Sequence, residues 1–342
     1  MPTPTITRRS LLLGTAAATA TALTACDSEG GGDEAGKAAT EKVTILTGAG
    51  FQGREAPIFV ARQKGWFAEA GLDVQVLPGK GTTENLKNLA GGQATFATLD
   101  VSGAIIEYTR PGGIRNFTLT SVLHQRNLAC FVALERSGIK TPSDLAGKTI
   151  SYIPGGINQL LFPTYAKLAN FDASKIKWVN AAPPQHPALL IERKVDAISQ
   201  FVPAVESVQA LARQPLVTLP FTDYLTDLHG SAVGVSADTA RNKPDVVRRF
   251  NTALLRGLAY SIEHPDESGQ IYASQKETQG QKVESAVAEL KGMAGYVQGI
   301  ASTPVGQFDL GRIARNIAIL QGAGAIPTSI QPTDIVSPDL IG

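Results

Sequence analysis

Strand-like and helix-like segments alternate along residues 43–236, and the alternation starts a second time near residue 149. Short β-branched strands separated by helices are typical of parallel α/β sheets. The pattern therefore predicts an α/β fold built from two successive units. The predicted strands cover residues 43–47, 72–77, 95–99, 117–123, 128–134, 149–153, 176–180, 195–199, 216–219 and 232–236. The predicted helices cover residues 56–64, 84–90, 159–169, 188–193, 204–212 and 246–262.

The two units predict two lobes with a ligand cleft between them. We expect residues 43–126 and 231–342 to form lobe one, with its helical C-terminal part packed on that lobe, and residues 127–230 to form lobe two. The chain would cross between the lobes near residues 125–128 and again near 229–232. Two lobes joined by short crossings can close as a hinge on a small ligand.

The N-terminus has the pattern of a bacterial export signal. Arg8 and Arg9 precede an uncharged stretch over residues 11–25, which ends in Leu-Thr-Ala before Cys26. This is the lipobox pattern, so we predict a signal peptide over 1–25, lipid attachment to Cys26 and a flexible tether over 26–42. The protein would be anchored to the outer face of the cytoplasmic membrane. The arginine pair resembles the twin-arginine signal, but Leu11 replaces the usual phenylalanine, so general secretory export stays an alternative.

Composition argues against several functional classes. Removal of residues 1–25 changes the formal charge from +1 to −1, which leaves no electrostatic footprint for nucleic acid. Besides Cys26, the chain contains only Cys130, in an apolar run that predicts a buried, inert thiol. The four histidines are scattered, and no HExxH, CxxC, GxSxG or Walker A motif is present. The sequence therefore predicts no metal site, no cofactor and no catalysis.

One motif supports a different function. Residues 48–53 read Gly-Ala-Gly-Phe-Gln-Gly, a G-x-G-x-x-G pattern after a strand, which would suit an exported dinucleotide-dependent oxidoreductase. Three features count against that alternative. The acid of the second strand, Asp73, lies near its beginning rather than its end; the run Arg54, Glu55, Ala56, Pro57 delays the helix; and hydride-transfer machinery is not evident.

Several phrases, taken in order along residues 43–275, resemble the solute-binding lipoproteins of ABC importers that bind aliphatic sulfonates or thiamine pyrimidine precursors. The phrases are residues 56–61, 64–67, 71–74, 89–97, 138–139 with 144–150, 195–197, 243–250 and 263–268. The resemblance implies a periplasmic-binding-protein type II fold, and a monomeric receptor that delivers its solute to a membrane permease with a cytoplasmic ATPase. Pyrimidine-synthesising enzymes of the same superfamily share the fold, but their cysteine-rich iron motif is absent here.

Ligand contacts are expected where strands end and helices begin at the cleft. The candidates are Phe51, Gln52, Arg54, Thr82, Asp100 and Ser102 in lobe one, Gly155, Gly156, Asn158, Gln200 and Phe201 in lobe two, and Tyr224 at the rim. For some of these residues, a position without ligand contact is an alternative. The two phenylalanines would also suit the core, Asp100 and Asn158 would also suit helix caps, and Arg54 would also suit a solvated surface.

The chemistry of these residues favours one class of solute. Aromatic rings, amides and a carboxylate suit a neutral aromatic heterocycle such as a pyrimidine precursor. A sulfonate is the next candidate, because several donors and Arg54 would suit an anion.

Overall fold

A computed structural model describes residues 40–298 and 304–341 of the chain. The predicted signal peptide, Cys26 and residues 26–39 of the predicted tether lie outside these ranges. Within them, no helix has the length and apolar character that a membrane crossing requires.

Ten strands form two five-stranded sheets. The first sheet has the order β2-β1-β3-β10-β4 and the second has the order β7-β6-β8-β5-β9. The strands are β1 Glu41–Leu46, β2 Leu72–Leu77, β3 Phe96–Asp100, β4 Thr118–Val122, β5 Ala129–Leu134, β6 Thr149–Tyr152, β7 Lys177–Asn180, β8 Ala197–Phe201, β9 Leu216–Pro220 and β10 Ser231–Val235. The first strand begins two residues earlier than predicted, inside the predicted tether.

Each sheet is mixed, which corrects the prediction of parallel sheets. β1 pairs in parallel with β2 and β3, and β6 pairs in parallel with β7 and β8. In contrast, β10 is antiparallel to β3 and β4, and β5 is antiparallel to β8 and β9. β5 and β10 are the first strands after the two crossings between the sheets. The chain leaves one sheet at its carboxyl edge and enters the other sheet at the carboxyl edge that faces it, so the entering strand is antiparallel to the strands that end there.

Twelve α-helices are described. They are α1 Ala56–Gln63, α2 Trp66–Glu69, α3 Thr82–Ala90, α4 Val101–Thr109, α5 Ile157–Leu168, α6 His186–Ile191, α7 Val205–Ala212, α8 Ala237–Asn242, α9 Pro244–Glu263, α10 Pro265–Ala273, α11 Val283–Val297 and α12 Leu310–Gly322. Short 3-10 turns lie at Gly53–Glu55, Glu135–Ser137, Pro142–Leu145, Ala173–Lys175, Pro183–Gln185, Val202–Ala204, Phe221–Asp223, Lys276–Thr278, Pro332–Asp334 and Pro338–Leu340.

Helix α4 was not predicted from the sequence. Seven of its nine residues are buried, so the helix is covered on almost every side and no amphipathic period marks it. By contrast, α9 has the predicted apolar face, and Val247, Phe250, Leu254 and Leu258 are buried. Pro244 starts that helix, as predicted.

The C-terminal helices pack on the first sheet's helices. α9 packs against α1, and α10 packs against α1 and α11. Gly257 of α9 lies so close to α1 that an added Cβ would be 2.4 Å from the Pro57 carbonyl oxygen. The two helices therefore need glycine at this position.

The last residues cover the outer edge of the first sheet. The Leu119 amide donates to the Ile335 carbonyl at 2.8 Å, and the Ser337 amide donates to the Leu119 carbonyl at 2.9 Å. The end of the chain thus occupies the free edge of β4, which would otherwise expose unpaired backbone groups.

Two antiparallel segments connect the sheets. The Asn127 amide donates to the Leu228 carbonyl and the Gly230 amide donates to the His124 carbonyl, both at 2.9 Å. The predicted lobe boundaries fall between β4 and β5 and between β9 and β10; the assignment of 43–126 with 231–342 and of 127–230 to separate lobes stays a prediction.

Candidate functional site

A cavity lies between the carboxyl edges of the two sheets. Its walls come from the loops after β1, β3, β6 and β8 and from the starts of α3 and α5. The lining residues are Gly48, Ala49, Gln52, Arg54, Gly81, Thr82, Thr98, Leu99, Asp100, Ile153, Gly156, Ile157, Asn158, Pro183, His186, Ser199, Gln200, Phe201 and Ser231.

Eight of the twelve candidate residues line this cavity, and they come from both sheets. They are Gln52, Arg54, Thr82, Asp100, Gly156, Asn158, Gln200 and Phe201. The rule that ligands bind at the carboxyl ends of strands placed them together, because each of the eight ends a strand, follows one or lies at the start of a helix. Their contact with a ligand stays a prediction.

The other four candidates lie outside the lining. Phe51 packs against the edge of Phe59 at 5.9 Å between centroids, which matches the core alternative. Ser102 is fully buried inside α4. Gly155 faces Thr83 on the neighbouring element rather than the cavity, and Tyr224 is 40% exposed, with its ring edge-on to Tyr165.

The backbone amides of the glycine loop at residues 48–53 donate to acceptors of the protein itself. The Gly48 amide donates to Glu55 Oε1 at 3.3 Å, and the Gly50 amide donates to the Gly79 carbonyl at 2.8 Å. An added Cβ at Gly53 would lie 2.6 Å from Ala286 Cα, so this glycine allows close packing on α11. In a dinucleotide site such amides bind a pyrophosphate. The oxidoreductase alternative therefore finds no support in this loop.

Arg54 is buried, which contradicts the solvated-surface alternative. Its side chain is 4% exposed, and its guanidinium lies 3.9 Å from the centroid of the Phe201 ring. Nη1 donates to Gln52 Oε1. Two buried carboxylates compensate its charge: Glu55 Oε1 lies 3.6 Å from Nε, and Glu289 Oε2 accepts from the Arg54 amide at 3.3 Å. Burial raises the pKa of both carboxyl groups, against the lowering effect of Arg54.

Asp100 both caps a helix and lines the cavity. Its Oδ1 accepts from the amides of Ser102 at 2.9 Å and Gly103 at 3.1 Å, and its Oδ2 accepts from Asn127 Nδ2 at 3.0 Å. Burial raises the pKa of the Asp100 carboxyl to about 8, although these three donors favour the ionised form. Asp100 is therefore both the N-cap of α4 and a residue of the cavity wall.

The second sheet contributes two amide side chains. Asn158 Nδ2 donates to the carbonyls of Cys130 at 2.9 Å and Gln200 at 3.1 Å, so Asn158 joins α5 to two strands. It is the second residue of α5 and not its cap, which is Gly156. The Gln200 side chain accepts from the Phe201 amide at 2.9 Å through Oε1.

His186 is the most informative residue that the sequence analysis missed. Its Nε2 lies 3.1 Å from the Ala181 carbonyl, and its Nδ1 lies 3.2 Å from Ser151 Oγ and 3.1 Å from the Ser199 carbonyl. Burial lowers its pKa, so the ring is a neutral structural element of the cavity wall. A lone histidine that starts a helix gave no sequence signal of this position.

The two sheets' elements meet on both sides of the cavity. On one side, the Thr83 amide of α3 donates to the Gly155 carbonyl at 3.3 Å. On the other side, Ser207 Oγ of α7 donates to the Ser285 carbonyl of α11 at 3.3 Å. Behind the cavity, Arg312 of α12 bonds to Gln125 and Asp227, one residue from each crossing segment. Direct hydrogen bonds therefore join elements of the two sheets on both sides of the cavity.

Metal binding gains no support from side-chain positions. Across residues 40–298 and 304–341, no group of three or more histidine, cysteine or acidic side chains is placed to hold a metal ion. Cys130 is buried, as predicted, and burial raises the pKa of its thiol.

The distant relatives among curated proteins include a binding protein and a synthase. The chain is 28% identical over 220 residues to the riboflavin-binding protein RibY of Chloroflexus aurantiacus, covering 62% of this chain and 60% of that protein. It therefore spans less than two thirds of that relative. It is 22% identical over 244 residues to a 4-amino-5-hydroxymethyl-2-methylpyrimidine phosphate synthase of Legionella pneumophila, covering 69% and 74% of the two chains.

Comparison with solved structures gives the fold. The alkanesulfonate-binding protein SsuA from Xanthomonas axonopodis pv. citri superposes with a TM-score of 0.67 at 13% identity, covering 86% of this chain and 97% of that chain. This likeness confirms the predicted two-lobed α/β fold of the periplasmic binding proteins. The sequence profile described as "NMT1/THI5 like" matches residues 52–268, which is more than half of the chain. The chain therefore belongs to the NMT1/THI5-like family.

Proposed function

We propose that this protein is the extracytoplasmic solute-binding receptor of an ABC importer. It would capture a small organic solute between its two lobes and deliver it to a membrane permease driven by a cytoplasmic ATPase. The observation that carries the proposal is the cavity between the sheets, to which both sheets contribute polar side chains. Family membership and the binding-protein fold support the same role.

The solute that suits the cavity best is a small aromatic heterocycle, such as a pyrimidine precursor. Phe201 supplies a ring, and Asp100, Asn158 and Gln200 supply polar groups that can read the edge of a heterocycle. A riboflavin-binding protein and a pyrimidine phosphate synthase among the relatives support this class, while the sulfonate-binding structural neighbour keeps a sulfonate as the second candidate.

Binding without turnover is part of the proposal. Among the residues described, the cavity wall contains no cysteine, and its one histidine bonds to backbone and serine partners through both ring nitrogens. Because two relatives are named as synthases, turnover must be tested directly. Incubation with the bound solute should return it unchanged, and a new product detected by mass spectrometry would reverse this part of the proposal.

Native mass spectrometry of freshly purified protein tests the receptor function, because a closed receptor retains its solute. We expect one small molecule per monomer. Gln200→Ala should weaken rebinding of that molecule about 5- to 150-fold through a lost hydrogen bond. Gln75→Ala, at an exposed position of β2, is the matched control and should bind like the wild type. Equal affinity in both variants would place the site elsewhere.

Anchoring is proposed from the sequence alone. Residues Leu23–Cys26 would be processed so that the mature protein begins with a lipidated cysteine. Cys26→Ala should leave the precursor uncut and move the protein out of the membrane fraction. Mass spectrometry of native membranes that recovers an unlipidated N-terminus would overturn the anchor while leaving the receptor function standing.

A further inference from the structure

The start of α5 brings free backbone donors to the cavity. Gly156, which precedes the helix, donates its amide to the Ile153 carbonyl at 2.9 Å. Among the described residues, the next two amides, those of Ile157 and Asn158, have no acceptor, because the first turn of a helix has no intrahelical carbonyl to bond to. Both residues line the cavity. Two N–H groups therefore remain for a solute at this end of the cavity.

A buried hydroxyl group of the second sheet gives an independent observation. Ser199 of β8 lines the cavity and is only 8% exposed, and its Oγ has no hydrogen-bond partner within the part of the chain that the structure describes. A buried hydroxyl group without a partner is costly, so a polar atom is needed to complete it. Thr98 of the first sheet is the other described residue of the cavity wall with such a hydroxyl group.

Ser199 lies on the face of the second sheet that α5 covers. Side chains alternate along a strand, so Ser199 shares its face with Ala197 and Phe201. Both of these residues pack in the same apolar cluster as Ile157 and Leu161 of α5. The unpartnered hydroxyl group and the two free amides therefore bound the same end of the cavity, and they come from different elements.

The donors at this end of the cavity favour one kind of solute atom. The two N–H groups can only donate, and the serine hydroxyl group can donate as well. The positive end of the helix dipole adds to the attraction for an electron-rich atom. A solute oxygen with free lone pairs can accept from all three groups, whereas an N–H group of the solute would leave both amides unpaired.

We propose that the start of α5 and the Ser199 hydroxyl group form a subsite for an oxygen acceptor of the solute, and that Ser199 is a specificity-determining residue. This inference rests on the proposed receptor function and adds one requirement to the solute. The acceptor is a ring carbonyl in a heterocycle or an anionic oxygen in a sulfonate, and the experiment distinguishes these two sources.

The test compares two rings that differ in one carbonyl group. Isothermal titration of protein stripped of its retained solute uses cytosine, 4-aminopyrimidine, which lacks the ring carbonyl, and ethanesulfonate as the anionic oxygen source. Cytosine should bind about 5- to 150-fold more tightly than 4-aminopyrimidine, because the latter leaves the donors of the subsite unpaired. The solute extracted from the purified protein is titrated in the same way, and it should contain an oxygen acceptor.

Ser199→Ala separates solute recognition from a structural role. It should weaken binding of cytosine and of the extracted solute about 5- to 150-fold and leave binding of 4-aminopyrimidine unchanged. The urea midpoint of the solute-free variant should not fall, because the hydroxyl group has no partner in the protein. Ser268→Ala is the matched control: Ser268 is also buried without a partner for its Oγ, but it lies on α10 outside the cavity wall, so this variant should bind like the wild type.

The outcomes are distinct. Ethanesulfonate binding that Ser199→Ala weakens supports the subsite and assigns it to an anionic oxygen. An extracted solute without an oxygen acceptor, or one that Ser199→Ala binds as tightly as the wild type does, overturns the subsite but leaves the receptor function intact. A lower urea midpoint of Ser199→Ala with an equal loss of affinity for both rings would show a structural role and overturn the subsite as well. A protein that retains no solute and binds none of the probes overturns the receptor function, and the subsite with it.

Discussion

Gly155→Ala should prevent the cleft from closing while leaving both sheets folded. Gly155 has a φ of +70°, and an added Cβ would lie 2.7 Å from both Cβ and Oγ1 of Thr83, across the cleft. Ordinary van der Waals contact begins near 3.4 Å, so α3 and the loop after β6 would have to separate by about 0.7 Å. The hydrogen bond from the Thr83 amide to the Gly155 carbonyl, at 3.3 Å, would then be broken.

The expected loss of solute affinity follows from the steric overlap and from the lost hydrogen bond. A lost hydrogen bond and an overpacked contact together cost about 1–3 kcal/mol in the closed state, which corresponds to about 5- to 150-fold in solute affinity. The left-handed backbone adds about 1–2 kcal/mol in the open and closed states alike. Gly138→Ala is the matched control, because its φ is +76° and an added Cβ meets no atom within 4 Å. Both variants should lose similar stability, but only Gly155→Ala should lose affinity.

The assay combines titration of the co-purified solute with small-angle scattering. Gly155→Ala should keep the dimensions of the open molecule in the presence of solute, and Gly138→Ala should contract like the wild type. The double variant Gly155→Ala with Thr83→Gly removes the clashing Cβ and should recover closure. If Gly155→Ala binds and contracts like Gly138→Ala, the contact between Thr83 and Gly155 is not part of the closed, solute-bound state.

Three further predictions concern stability and reactivity. Arg312→Ala should lower the free energy of unfolding by about 3 kcal/mol, because it removes a buried group bonded to both crossing segments. Arg315 bonds to the same Asp227 from an exposed position, so Arg315→Ala should lower the free energy of unfolding by less than about 1 kcal/mol. Equal urea midpoints for the two variants would contradict this. The folded Asp100 carboxyl holds its proton to about pH 8 but the unfolded one only to about pH 4, so the wild type loses stability as pH rises between those values, and its free energy of unfolding relative to that of Asp100→Asn should fall from pH 5 to pH 8; urea midpoints that change equally with pH in both proteins would refute it. In a chain that begins at Asp27, Cys130 should react with a disulfide reagent only after unfolding, and rapid reaction of the native protein would show that the thiol is accessible.

Much of the fold could be predicted from the sequence because its elements carry strong periodic signals. The strands β2 and β9 and the helix α9 show the predicted residues within one or two positions of their observed bounds. Helix α4 could not be predicted, because it is buried on most sides and an apolar stretch without a period fits several structures. The reversed direction of β5 and β10 could not be predicted either, since direction depends on which edge of a sheet the chain enters.

The candidate site, too, could be predicted from the sequence only in part. A positional rule was enough to bring Gln52, Asp100, Asn158 and Gln200 to one cavity, because strand ends and helix starts are visible in the sequence. The rule failed where a side chain's direction decides: Phe51 turns into the core and Gly155 faces Thr83. The burial of Arg54 was also invisible, because its counter-charge Glu289 comes from a helix more than 200 positions later.

The insertion of β10 between β3 and β4 sets an order of folding. The second sheet is built from residues 129–220, which are contiguous, so all its strands are available as soon as that stretch has been synthesised. In contrast, β3 and β4 lack their shared partner until residues 231–235 have emerged, and β4 lacks its edge cover until residue 337 has emerged. Non-local pairings of this kind form slowly and leave strand edges exposed meanwhile. The first sheet is therefore the last part of the molecule to complete, and the part for which a chaperone would matter most.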